Sequence, residues 1–213
     1  MSENKLPGKL KQAWHRIAGK PVEEVEASKH SRLGLWDSFY KDTDRNDMYD
    51  DPRTAEMAAA FLNAEDVKVI EDWGCGYGGF KKYIAPHQTY VGIDGSHSKF
   101  ASKIVELDKY TTEVDAIHLR HVLEHNVEWK AILENALKSF QKRMVLTLFT
   151  PFKSKTQVIA EYPNFNNSGV TMVDVAFNRS ELLSYFEGIG WTSEEDLKTE
   201  SQYQVEHIFY LKR

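Results

Sequence analysis

Short apolar runs separated by polar turns mark buried strands at Val67 to Asp72, Thr89 to Ile93, Val114 to Leu119 and Met144 to Phe149. The run Met144-Val145-Leu146-Thr147-Leu148-Phe149 is almost unbroken, as in a strand covered by helices on both faces. A shorter strand is expected over Lys103 to Leu107, and two more around Glu195 to Lys198 and His207 to Lys212, the last pair as an antiparallel edge. Between them the period changes to that of a helix. Ile132, Leu133, Ala136, Leu137 and Phe140 follow the 3.6-residue repeat over Trp129 to Phe140. Arg179 to Phe186 forms another helix, closed by Gly188 and Gly190, and short helices are expected at Phe80 to Ile84 and Ser96 to Phe100. Strands alternating with helices predict an α/β domain with a mostly parallel seven-stranded sheet and helices on both faces.

That domain spans residues 61–213, and residues 1–60 read as an N-terminal helical extension and cap. Leu6, Leu10, Trp14 and Ile17 recur at helical spacing among Lys5, Lys9, Lys11, Arg16 and Lys20. Such a basic segment fits weak contact with an anionic membrane surface or a partner, or a helix packing Trp14 on its own domain. Ser31 to Asp42 reads as a helix carrying Leu35, Trp36, Phe39 and Tyr40, followed by a polar loop with Tyr49. Asp51-Pro52 starts the next helix, with Asp as N-cap and Pro in the first turn.

Composition narrows the function classes. The chain has 213 residues, 41% hydrophobic and 28% charged, an ordinary globular balance with length for a real core. A net charge of −5 gives no general pull towards nucleic acid. No apolar run approaches the roughly 20 residues of a membrane span, and the start lacks a signal peptide's apolar core. One cysteine, Cys75, excludes an internal disulfide, and the expected compartment is the cytoplasm.

The chemistry concentrates in Val67 to Ser96, where a strand ends on Asp72 and turns through Gly74-Cys75-Gly76-Tyr77-Gly78-Gly79. The next strand stops at Asp94-Gly95. Gly74, Gly76 and Gly79 satisfy G-x-G-x-x-G, and Asp94 follows about 20 residues on, as in dinucleotide sites. Asp72 argues against a diphosphate, because a carboxylate beside the glycine turn repels one and suits a cation. Asp72-x-Gly-x-Gly-x-Gly followed by Gly92-Ile93-Asp94 resembles the signature of class I S-adenosylmethionine-dependent methyltransferases, and the order of elements from Val67 onward is similar to theirs. The resemblance implies a Rossmann-like sheet and S-adenosyl-L-methionine as cofactor. It also implies roles for Asp72, Gly74, Cys75 and Gly76 around the methionine part, Asp94 and Gly95 at the ribose, and Asp108 at the adenine.

His121-Val122-Leu123-Glu124-His125 can be read in two ways. H-x-x-E-H is a zinc-peptidase pattern, but zinc needs both histidines on one helix face, and here they follow a strand. The stretch is also similar to a sequence frequent at this place in small-molecule methyltransferases. His121 is then the candidate base, and His125 a substrate contact or a residue shaping the pocket floor. Trp36, Tyr40 and Tyr49 are candidates for a lid over the substrate. Phe152 to Asp174 reads as a long loop at the ligand edge, with Tyr162 among amides suited to a hydroxyl-rich ligand.

The function expected is methyl transfer to a small-molecule or glycan acceptor, at a hydroxyl oxygen. No Asn- or Asp-Pro-Pro-Tyr/Phe motif is present, which with the acidic balance argues against a nucleic-acid substrate. An NAD-dependent oxidoreductase, a zinc hydrolase and a non-catalytic cofactor-binding protein are the alternatives.

Overall fold

The computed structural model describes residues 15–22, 33–41 and 52–213. Its central sheet has seven strands, taken here in chain order after the N-terminal strand β1 (His15–Pro21). These are β2 (Val69–Trp73), β3 (Thr89–Asp94), β4 (Lys103–Ile104), β5 (Val114–Arg120), β6 (Phe140–Leu148), β9 (Gly190–Leu197) and β10 (Glu206–Lys212). The spatial order is β4-β3-β2-β5-β6-β10-β9, with β4 to β6 and β2 all parallel. β10 runs antiparallel to both β6 and β9, so the expected antiparallel edge is present. The Rossmann-like, mostly parallel seven-stranded sheet is therefore as the sequence predicts.

Helices cover the sheet by amphipathic faces. Helix α2 (Arg53–Leu62) buries Thr54, Ala55, Ala58, Ala59 and Leu62, a stripe at helical spacing. That stripe packs with Ile70, Ala116, Val145 and Ile208 from four neighbouring strands. Helix α3 (Trp129–Ser139) buries Ile132, Leu133, Ala136 and Leu137 against the opposite face, with Trp73, Ile117 and Leu146. α2 starts with Pro52 at the N-cap position, where no side chain caps it. Asp51, the expected cap, lies outside the described residues, as does Tyr49.

Several local expectations change. Ser96 to Phe100 is irregular rather than helical, because the serine side chains compete for the backbone: Ser98 Oγ donates to the Gly76 carbonyl and accepts from the Phe100 amide. Phe80 to Ile84 tightens to a 3₁₀ turn over Gly79–Tyr83. The third strand shrinks to Lys103–Ile104, and Leu107–Lys109 forms a 3₁₀ turn that carries Asp108. The expected long loop after Phe149 contains strand β7 (Gln157–Tyr162) and leads into β8 (Met172–Ala176). Val158, Ala160 and Tyr162 alternate inward along β7, a period-2 signal that the Asn- and Gly-rich turn following it obscures.

β7 and β8 pair antiparallel, and β1 adds to β7 to complete a separate three-stranded sheet. His15–Pro21 is thus a strand and not the end of a helix, because the free edge of β7 supplies its backbone partners. The rest of the basic segment lies outside the described residues. Leu35, Trp36 and Phe39, around the short helix α1 (Asp37–Tyr40), pack on Tyr162, Phe165 and Met172 of this small sheet and its turn. Among the described residues no helix is long and apolar enough to cross a membrane.

Candidate active site

The carboxyl ends of β2, β3 and β5 open on one cavity of about 320 Å³. Its floor is the turn after β2. Gly74, Gly76 and Gly78 have φ of 77°, 47° and 67°, a region that favours glycine. Space demands glycine too: a Cβ on Gly74 would stand 2.3 Å from Val122 Cγ2. The backbone therefore lies bare beneath whatever fills the cavity.

Acids surround that turn. Asp94 Oδ2 accepts the Gly76 amide at 2.8 Å, and Oδ1 accepts the Ser96 amide and hydroxyl at 2.7 and 2.6 Å. Burial raises its pKa, offset in part by Ser96 and Gly76. Asp72 is only 2% exposed, accepts the Tyr90 hydroxyl at 2.7 Å, and lies 2.7 Å from His118 Nδ1. Phe80 stacks on the far side of His118, with centroids 3.7 Å apart. Glu106 and Asp108 line the cavity beyond β4. Asp72, Asp94, Glu106 and Asp108 together make a wall that would repel a diphosphate and attract a cation. Cys75 lines the same floor, and burial, with Asp72 and Asp94 next, pushes its thiol up, so it stays protonated and unreactive.

The opposite wall comes from the end of β5. His121, with φ 56°, turns its Nε2 to 3.2 Å from Glu206 Oε1 on β10. Arg120 Nη2 donates to the same oxygen at 3.1 Å, and Thr54 Oγ1 to Oε2 at 2.6 Å. Burial, then the Arg120 charge, lowers the His121 pKa to about 4, so the ring is neutral at pH 7. Burial alone would raise Glu206, but His121, Arg120 and Thr54 outweigh it and hold the carboxyl down at about 2.

His125 ends a 3₁₀ turn, Leu123–His125, and turns the other way. Its Nδ1 lies 3.1 Å from Asp174 Oδ1 on β8 and 3.2 Å from the Val173 carbonyl oxygen. Between them Glu124 faces inward, where its Oε1 accepts the Phe149 amide at 2.6 Å and burial raises its pKa to about 7. Two histidines directed at different acids from a tight turn do not share the helix face that a zinc-peptidase motif requires.

The cavity thus gathers most of the residues singled out in the sequence: Asp72, Gly74, Cys75, Gly76, Asp94, Gly95, Asp108, His121, His125 and Tyr40 all line it. Trp36 and Tyr40 form its roof, their rings roughly parallel with centroids 6.0 Å apart. The segment before α1 is pinned to the acidic turn, since the Gly34 amide donates to the Gly95 carbonyl at 2.7 Å and Asp37 accepts the His97 amide at 2.8 Å. Tyr162 stands one layer back, buried, with its hydroxyl donating to Asp174 at 2.9 Å. Sequence reasoning missed Arg120, Asp174 and Glu206. Arg120 adjoins His121 and could have been noticed, whereas Asp174 and Glu206 arrive from strands 48 or more residues away.

A model of the methyltransferase domain family matches residues 48–196. No curated protein matches this chain. Among solved structures the chain is similar to the 1,6-didemethyltoxoflavin-N1-methyltransferase of Burkholderia thailandensis, solved with its acceptor and S-adenosylhomocysteine bound, at 13% identity and TM-score 0.59 over 79% of this chain and 81% of that one. It is also similar to the magnesium protoporphyrin IX methyltransferase of Synechocystis PCC 6803 with S-adenosylhomocysteine bound, at 14% identity and TM-score 0.55 over 76% and 82%. The N-terminal domain of EvdMO1, with S-adenosylhomocysteine bound, is similar at 16% identity and TM-score 0.54 over 78% and 82%. At these identities the likeness is one of fold. Family match, sheet order and the acidic glycine floor agree, and the chain belongs to the methyltransferase domain family, as a class I enzyme dependent on S-adenosyl-L-methionine.

Proposed function

We propose that this enzyme methylates a hydroxyl oxygen of a small-molecule or glycan acceptor. The observation that carries the reading is a single cavity with a carboxylate-walled glycine floor on one side and two histidines on the other. When bound, S-adenosyl-L-methionine supplies a methyl group on a cationic sulfur. The donor set fits it: Asp72 and the backbone of Gly74 to Gly76 suit the cationic methionine part, Asp94 and Gly95 the ribose, and Asp108 the adenine amino group.

The residues of this chain then have simple tasks. The Asp72, Asp94, Glu106 and Asp108 carboxylates favour a cationic group over a diphosphate, and the close glycine backbone fixes its depth. Trp36 and Tyr40 cover the cavity and limit water, and orientation of the reacting groups supplies most of the rate. His121, neutral and weakly basic, suits a hydrogen bond from the acceptor near the reacting centre. Two of the similar enzymes are named for small-molecule substrates, 1,6-didemethyltoxoflavin and magnesium protoporphyrin IX, which supports the same for this chain, while a third similar structure is a small RNA methyltransferase.

Calorimetry with S-adenosylhomocysteine and NAD tests the reading. S-adenosylhomocysteine should bind and raise the melting temperature, because a ligand selective for the folded state stabilises it. A shift with NAD and none with S-adenosylhomocysteine overturns the proposal.

A further inference from the structure

Asp174 is fully buried in the middle of β8, yet four polar groups converge on its carboxylate. Oδ2 accepts the Tyr162 hydroxyl at 2.9 Å, Gln202 Nε2 at 2.7 Å and the Tyr203 hydroxyl at 2.8 Å. Oδ1 faces His125 Nδ1 at 3.1 Å. A buried carboxylate with so many donors is held ionised and immobile.

The consequence falls on the tautomer of His125. Its Nδ1 faces two groups that only accept, the Val173 carbonyl oxygen and the Asp174 carboxylate, so Nδ1 carries the ring proton. The unprotonated nitrogen is then Nε2, on the edge of the ring turned away from Asp174, and His125 lines the cavity. Beside it stands Trp36, ring centroids 5.3 Å apart, and Leu35 and Tyr40 line the cavity with it. His121, by contrast, faces Glu206 with its Nε2, at 3.2 Å.

We infer that His125 takes the proton of the acceptor hydroxyl, that this hydroxyl is carried on a planar ring lying against Trp36, and that Asp174 is the positioning residue of His125. The inference rests on the methyl-transfer reading above. The hydroxyl's O–H bond breaks with its proton going to Nε2, while the oxygen's electron pair bonds the methyl carbon and the carbon–sulfur pair stays on sulfur, leaving a neutral thioether. The imidazolium so formed faces the Asp174 carboxylate, which stabilises it. Asp174 and Glu124 already raise the basicity of His125 despite its burial, whereas burial and Arg120 lower that of His121. Tyr162, Tyr203 and His121 are the other titratable groups around the pair.

The probe is 4-nitrophenol, a planar hydroxyl whose ionised form absorbs visibly, added to protein saturated with S-adenosylhomocysteine. Bound dye should ionise at a pH about one unit below that of free dye, since a partner that becomes cationic favours the phenolate. His125→Ala should abolish that shift. Imidazole ¹⁵N spectra supply a second readout, in which His125 should be in the Nδ1–H form and Asp174→Asn should lower its titration midpoint by about one unit. If S-adenosylhomocysteine binds but the dye fails to bind, ionises as in water, or ionises equally in His125→Ala, the inference is overturned. If Asp174→Asn leaves the titration unchanged, Asp174 is not a positioning residue. Failure of S-adenosylhomocysteine to bind at all overturns the proposed function instead, and calorimetry reads that separately.

Discussion

Asp94 Oδ2 and the Gly76 amide are 2.8 Å apart, so the acid that ends β3 also fastens the glycine turn that follows β2. With the proposed ribose contact at Asp94, cofactor recognition and the shape of the cradle depend on the same carboxylate. The remaining oxygen is engaged by Ser96, and the group is 5% exposed.

Asp94→Ala should then lose binding and stability together. Hydrogen bonds to a charged group contribute about 1.5–3 kcal/mol each. S-adenosylhomocysteine affinity should fall roughly tenfold to several hundredfold, at 1.4 kcal/mol per factor of ten. The melting temperature of the unliganded protein should also fall, through loss of the Gly76 and Ser96 bonds. Asp94→Asn should lie between, since one amide oxygen still accepts. Calorimetric titration and scanning of both variants checks this, and an Asp94→Ala protein that binds like the parent removes Asp94 from the site.

Gly74 and Gly169 have nearly the same φ, 77° and 75°, in opposite surroundings. A Cβ on Gly169 meets nothing within 4 Å, whereas one on Gly74 would overlap Val122. Gly169→Ala should cost about 1 kcal/mol from the left-handed conformation alone. Gly74→Ala should cost more, about 2 kcal/mol or above, and weaken S-adenosylhomocysteine binding as well. Urea unfolding of the two variants separates strain from collision.

Glu124 gives a pH signature. Its carboxyl rises from 4.5 to about 7 in the folded protein, because burial penalises the charged form. An acid with a raised folded pKa contributes stability that is fully present below about 4.5 and is lost as pH rises through about 7. Glu206 and His121 have the opposite sign, since their lowered values favour the fold above their unfolded pKa and lose that contribution as pH falls. Comparison with Glu124→Gln isolates the first effect: the variant should gain on the parent between pH 4.5 and 8, by roughly 3 kcal/mol at most. A constant difference across that range contradicts burial of an ionisable Glu124.

Asp37 fastens the aromatic roof to the loop after β3, its Oδ1 accepting the His97 amide and Oδ2 lying 2.9 Å from His97 Nδ1. Asp37→Ala should release α1 without disturbing the central sheet. Hydrogen exchange of the amides over 37–41 should quicken by about tenfold, the equivalent of 1.4 kcal/mol. Protection of β5 and β6 should stay as in the parent.

The middle of the central sheet was legible because β2, β5 and β6 are buried on both faces, so their apolar runs must appear in the sequence whatever surrounds them. The glycine turn was legible for a local reason as well: a backbone at φ 47° to 77° restricts residue type at Gly74, Gly76 and Gly78. Asp72, Asp94 and His121 follow directly from strand ends, and they all line the cavity. What tertiary structure alone decided is which groups those residues hold. His118 and Tyr90 reach Asp72 only because β5 and β3 flank β2 in register, and Glu206 reaches His121 only because β10 inserts antiparallel beside β6. β1 could not be read as a strand from its own spacing, since the partner that makes it one is the edge of β7, more than 130 residues away. Asp174 reads in the sequence as the end of a loop, and its place behind His125 depends on a hairpin pairing that no local period encodes. Backbone geometry and burial act residue by residue and leave their mark along the chain, whereas the pairing of charges across strands exists only once the strands have been brought together.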